Sequence, residues 1–127
     1  MNFISASQLE AVAQLEFADI VRETILYDVN SLRIILNDNS YIDLWFSLRR
    51  SGRFSFHWER TTQDDTIYLH DNAPDAEWKH IATFPQHFHE GSQGQVKESY
   101  LNNDPLLALR EFLVFAHLRL KPAIKSE

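Results

Sequence analysis

The sequence predicts an α+β fold: an antiparallel sheet of about five or six strands with N- and C-terminal helices on one face. Three observations carry that reading. Apolar and polar residues alternate with period two over 41–48 and again over 53–59. The strand candidates are joined by short polar corners, which close hairpins and cannot span a parallel crossover. Leucines recur at helical spacing near both ends.

Taken in order, Ser7 and Glu10 have capping-box spacing, and Leu9, Val12 and Leu15 mark a short helix face. Residues 17–29 are rich in β-branched and aromatic side chains and read as a strand, broken at Asn30-Ser31. Leu32 to Leu36 form a second strand, and Asp38-Asn39-Ser40 is turn chemistry. Ile42, Leu44, Phe46 and Leu48 then alternate with Tyr41, Asp43, Trp45 and Ser47. After Ser51-Gly52, Phe54, Phe56 and Trp58 point inward, which puts Arg53, His57 and Glu59 on the opposite face. Thr66 to His70 is a fifth strand. Residues 71–95 are broken by Pro74, Pro85, Gly91 and Gly94, with a short strand expected near Val96. Asp104-Pro105 is an N-cap followed by proline at the first helical position, and the helix is expected to run to about Lys121 and stop at Pro122.

At 127 residues, without repeat or linker, the chain reads as a single domain over 1–127. Its 3 Gly, 4 Pro and 44% hydrophobic residues exclude disordered and collagen-like classes. The absence of Cys excludes thiol catalysis and thiolate metal sites. No apolar run approaches the ~18 residues of a membrane span and the N-terminus lacks a signal pattern, so a cytoplasmic protein is expected. The net charge of −6 argues against tight non-specific DNA binding. Charge is uneven, however: residues 31–63 carry a net +2, with Arg49, Arg50, Arg53 and Arg60 forming a basic strip open to a small RNA contact.

Chemistry-bearing residues concentrate between Asp71 and Gly94. His87 and His89, two apart in an extended segment, point to the same side. Three readings fit them. With Asp71 they could hold a divalent ion. As groups that titrate near neutrality, they could exchange protons with an RNA 2′-hydroxyl and leaving oxygen while Arg steadies the phosphorane. Alternatively, backbone carbonyls satisfy their rings and the histidines simply fix the loop. His57, beside Arg53 and Glu59, is either a member of the same site or a surface pair. His70, His80 and His117 have weaker cases. There is no Gly-rich phosphate loop, no GxSxG and no His-Glu-x-x-His.

Phe56-His57-Trp58, Asp71-Asn72-Ala73-Pro74 and Phe84-Pro85-Gln86-His87-Phe88-His89-Glu90-Gly91, in this order and spacing, resemble the TumE-like toxins of bacterial toxin–antitoxin modules. The resemblance runs from about Phe17 to the last helix and includes Tyr41 after the Asp38-Asn39-Ser40 turn. Two places depart from the family pattern: Asp75 and Ala76 stand where histidines are common, and Leu69 where Arg is common. The resemblance implies a growth-inhibiting toxin with a cognate antitoxin and, by analogy with other small toxins, an endoribonuclease. On that reading His57, His87, His89 and Asp71 are the candidate catalytic groups. Arg53, Arg60 and Asn72 are the candidate RNA contacts, and no metal or cofactor is called for. The alternative is a non-enzymatic protein-binding module or an inactive family member.

The C-terminal helix carries Leu106, Leu107, Leu109, Phe112, Leu113, Val114, Phe115, Leu118 and Leu120, more apolar surface than one sheet face covers. A homodimer, or an antitoxin seated over Phe112 and Phe115, is therefore expected. The competing expectation is that the N-terminal helix and residues 1–6 cover that second stripe.

Overall fold

The computed structural model describes residues 4–120. The chain runs α1 (Ala6–Glu16), β1 (Val21–Asp28), β2 (Ser31–Leu36), β3 (Tyr41–Phe46), β4 (Phe54–Arg60) and a single turn, α2 (Thr61–Asp64). It continues through β5 (Thr66–Asp71), a 3-10 turn (Ala76–Trp78), β6 (His87–Glu90), β7 (Val96–Glu98) and α3 (Pro105–Arg119). The strands form one seven-stranded antiparallel sheet in the order β1 to β7, each hydrogen-bonded to its chain neighbours. The α+β expectation holds, with more strands than the five or six expected. The additional strand is β6, whose four residues offer one apolar position, Phe88, between the breakers Pro85 and Gly91; Phe84–Pro85 is a cis peptide.

Helix α1 begins two residues earlier than expected. Ser5 caps it, its backbone N–H donating to Gln8 Oε1 at 2.7 Å, and Ser7 lies inside the first turn. Ser5–Gln8 and Ser7–Glu10 have the same spacing; the earlier start wins because Ala6 N–H then donates to the Val29 carbonyl, tying the helix to the β1–β2 hairpin. The buried stripe is accordingly Ala6, Leu9 and Ala13, while Leu15 faces solvent. At the other end, Asp104 Oδ1 accepts from Leu106 N–H at 3.1 Å with Pro105 at the first helical position, as expected. The helix ends at Arg119; the stop expected at Pro122 lies outside the described residues.

Both helices cover the sheet face that bears Phe56 and Trp58. Leu32, Ile34, Leu36, Ile42 and Leu44 join them in a core closed by Leu9, Ala13, Leu109, Phe112, Leu113 and Ala116. Phe112 packs edge-on to Phe56 with centroids 6.0 Å apart, and Phe115 to Tyr68 at 5.2 Å. These two phenylalanines are therefore spent on the sheet, and the large apolar residues left exposed on α3 are Leu107, Val114 and Leu118. The sheet and α1 together cover Phe112 and most of Phe115, so that stripe finds cover within the chain.

One corner of this inner face is polar. Arg60, 7% exposed, donates through Nη1 to Asp38 Oδ2 at 2.6 Å and through Nε to Asp64 Oδ2 at 3.1 Å. Trp58 Nε1 donates to Ser40 Oγ at 2.9 Å. Burial tends to raise the Asp38 carboxyl, but the Ser40 and Arg60 hydrogen bonds outweigh it and hold the group below the ordinary range. The corner locks the β2–β3 turn, where Asn39 has φ +71°, onto β4.

Candidate active site

The other sheet face is assembled by register. Asp43 pairs with His57, His57 with Leu69, and Leu69 with His89; one row along, Trp45 pairs with Ser55, Ser55 with Asp71, and Asp71 with His87. Because side chains alternate along a strand, Phe88 is buried on the inner face against Phe115 while His87 and His89 both stand on this outer face. They are nevertheless only 3% and 7% exposed. The segment after β5 folds back over them and lays Trp78 against both rings, at centroid distances of 6.1 Å and 5.9 Å. Asp75 holds that cover in place, its Oδ1 accepting from Glu77 N–H at 3.0 Å ahead of the 3-10 turn. Between cover and sheet lies an open cleft of about 500 Å³, lined among others by Leu69, Asp71, Asp75, Trp78, His87 and His89.

The hydrogen bonds determine which face each imidazole shows the cleft. His87 Nδ1 lies 2.8 Å from the Pro85 carbonyl and His89 Nδ1 lies 2.9 Å from the Gln93 carbonyl. A carbonyl only accepts, so both Nδ1 atoms carry the proton and both Nε2 atoms present lone pairs when the rings are neutral. Ring centroids are 5.0 Å apart. Burial lowers the His89 pKa; its bond to the Gln93 carbonyl works in the opposite direction, His87 adds to the lowering, and Asp71 pulls upward. Asp71 Oδ1 accepts from Ala73 N–H at 2.6 Å, forming the turn that starts the cover segment. The third sequence reading thus describes one nitrogen of each ring, while the other nitrogen remains available for chemistry.

The structure gathers His87, His89 and Asp71 at the cleft and sets the other sequence candidates apart. His57 shares the face, but Leu69 stands between it and His89, about two strand spacings or ~10 Å across the sheet. Its Nε2 is 3.3 Å from Glu59 Oε1. Arg60 lies on the opposite, inner face in the ion pairs described above. Asn72 is a staple: its Oδ1 accepts from Phe54 N–H at 2.9 Å and its Nδ2 donates to the Gly52 carbonyl at 2.6 Å, fixing the β3–β4 hairpin beside the cleft. Arg53 sits on that hairpin, with its Nε buried and without a hydrogen-bond partner. His117 lies 3.5 Å from Asp19 on the far side of the molecule.

Sequence reasoning missed Trp78. The only signal for it was an indole in an otherwise polar, proline-flanked segment, and period-based reading gives such a residue no partner. Among the described residues, no three His, Cys, Asp or Glu side chains are placed to hold a metal ion, and no helix is long and apolar enough to cross a membrane. The family model described as Toxin TumE matches residues 5–120. No curated protein and no solved structure matches the chain.

Proposed function

The chain belongs to the TumE toxin family, the toxin component of a toxin–antitoxin module with a cognate antitoxin as partner, and from that premise we propose that the outer-face cleft is an endoribonuclease site. One observation carries the proposal: two adjacent imidazoles with Nδ1–H pinned to backbone carbonyls and both Nε2 atoms left to the same cleft. An acid and a base side by side are what transesterification of an RNA phosphodiester requires. In the proposed step, neutral His89 takes the 2′-hydroxyl proton as O2′ bonds to phosphorus. Protonated His87 gives its Nε2 proton to the departing 5′-oxygen as that P–O bond breaks. The products are a 2′,3′-cyclic phosphate and a 5′-hydroxyl. The base is assigned by its environment, since burial favours neutral His89; His87, which pairs across the strands with Asp71, takes the acid role. Arg53 supplies positive charge for the phosphorane from the hairpin edge, and His57 contacts the flanking strand. Arg60 and Asn72 hold the scaffold that positions these groups.

Incubating the purified protein with single-stranded RNA and analysing the new ends tests the reading. Cleavage to cyclic phosphates, lost by about 10²- to 10⁴-fold in His87→Ala and in His89→Ala, is the expected result. Cleavage that survives both substitutions unchanged overturns it.

A protein-binding role has its own supporting observation. Leu107, Val114 and Leu118 form an exposed row on α3, the latter 76% exposed. We assign this row to a protein partner in the cytoplasm, either the antitoxin or the second copy of a homodimer, in place of Phe112 and Phe115. Light scattering of the chain alone, then with its antitoxin, distinguishes the two partners. A Leu118→Asp protein that assembles as the parent does in both samples removes the assignment.

A further inference from the structure

Among the described residues, the two sheet faces are treated unequally. Helices α1 and α3 close the inner face, whereas on the outer face the cover segment reaches only the β5–β6 side. Beyond it the sheet displays aromatic rings. Trp45 is 39% exposed, and Tyr41 lies under the Arg33 guanidinium at 3.9 Å, with Tyr27 also against that guanidinium. Trp45 belongs to the row that continues through Ser55 and Asp71 to His87, so indole and histidine point to the same side of one line across four strands.

Positive charge stands at the same end. The connection after β3 carries Arg49 and Arg50, both exposed, and then Arg53. Arg33, Arg60 and Arg110 are each engaged by carboxylates. Arg49, Arg50 and Arg53 have no carboxylate within ion-pair distance among the described residues. The connection is firmly held: Ser47 Oγ accepts from the N–H groups of Arg49 and Arg50 at 3.1 Å and 2.9 Å, and Asn72 ties Gly52 and Phe54 to the strand leading into the cleft.

We propose that this outer face is a track for single-stranded RNA, in which a base flanking the scissile phosphate stacks on Trp45 and the backbone passes along Arg49 and Arg50 into the cleft. The inference rests on the cleft's being a ribonuclease site and adds the substrate's form and its binding residues. An unpaired base is required because a base inside a duplex cannot offer its face to a side chain on a sheet. Uncompensated arginines beside an aromatic surface complement a polyanion with planar bases. The acidic residues at the other rim, Asp75 and Glu77, repel phosphate and so favour approach from the arginine end.

The test uses the full chain with His87→Ala and His89→Ala together, which binds without cleaving, and a fluorescently labelled single-stranded oligoribonucleotide read by anisotropy. Adding Trp45→Ala is expected to weaken binding about 10-fold or more, and Trp45→Phe is expected to restore most of it. Replacing Arg49 and Arg50 by Ala is expected to reduce the slope of log affinity against log salt by about 1.4, roughly 0.7 for each lost phosphate contact. A duplex of the same sequence is expected to bind more weakly. Equal affinity with and without Trp45, or equal affinity for the duplex, overturns the track. If the protein with intact histidines cleaves RNA while Trp45→Ala changes neither cleavage nor binding, the track falls and the cleft reading stands. If RNA binds through Trp45 but is never cleaved, the catalytic reading falls and the track stands. Absence of both binding and cleavage overturns the two together.

Discussion

His70 and the pair His87–His89 occupy adjacent strands, and all three are at most 9% exposed. They sit on opposite faces of the same sheet, and their surroundings differ in kind. His70 points into the helix-covered core, stacked on Phe88 at 4.2 Å, edge-on to Phe112 at 5.5 Å, with Nδ1 2.7 Å from Ser99 Oγ. A hydroxyl both donates and accepts, so that bond imposes no tautomer. His87 and His89 are bound by carbonyls, which do impose one, and they are covered by a surface segment and not by a helix. Burial of a histidine therefore says little about its use. What distinguishes a packing ring from a reactive one is whether its hydrogen bonds leave a defined nitrogen facing a space that a substrate can enter.

The largest expected effect separates the faces by activity. His87→Ala and His89→Ala should each reduce RNA cleavage by about 10²- to 10⁴-fold, read on protein shown by circular dichroism to be folded. An equal loss of activity in a folded His70→Gln protein would break the comparison. A second effect is confined to the inner face. Burial, reinforced by His87, lowers the His70 pKa from 6.5 to about 4. Above pH 6.5 the ring is neutral in both folded and unfolded chains and has no influence on the balance. As pH falls below that value, the unfolded ring takes up a proton that the folded ring refuses, so stability declines, by ~3 kcal/mol once pH 4 is reached. Urea titrations from pH 7 to pH 4 should show the decline, flattened in His70→Gln. Asn72→Ala, which frees the Phe54 N–H and the Gly52 carbonyl, should cost about 1–2 kcal/mol and speed hydrogen exchange at Phe54 while leaving the core strands protected. Leu118→Ser, on the exposed row of α3, should change stability by less than about 0.5 kcal/mol. A larger loss in the isolated chain would show that the row is already covered.

The sheet was legible where the apolar period was long. Residues 41–46 and 54–59 alternate cleanly, and their pairing, Tyr41 with Glu59 through Phe46 with Phe54, follows from a tight connection at Gly52, which has φ +85°. Strand β6 was not legible, because one phenylalanine between two histidines has no period. Its identity as a strand comes from the partners on both sides. Within the site, the common side of His87 and His89 could be read from their spacing, and Asp71 from its place beside them. Arg60 could not be placed from spacing alone. Position 60 continues the inward phase of Phe56 and Trp58, but an arginine there invites an outward reading until Asp38 and Asp64 are seen to receive it. Trp78 was illegible for a further reason: its contacts lie across a fold-back whose path depends on the Asp71 and Asp75 turns together.

The sequential order of the strands has a consequence for how the molecule is made. Every sheet pairing joins elements adjacent in the chain, so the sheet can be laid down strand by strand as residues leave the ribosome. Its apolar face has no such luck. The phenylalanine and leucine cover for Phe56, Trp58 and Phe88 comes from α3, the last described element, and the Glu16–Arg110 ion pair that joins it to α1 spans 94 positions. Until that helix is synthesised, the outer face is backed by a sticky inner one that α1 covers only over β1 and β2. A chain halted before Pro105 therefore has its histidine strand already encoded but no stable platform to hold it, and quality-control machinery meets exposed aromatic surface. The order of synthesis thus defers completion of a harmful fold to the last described helix.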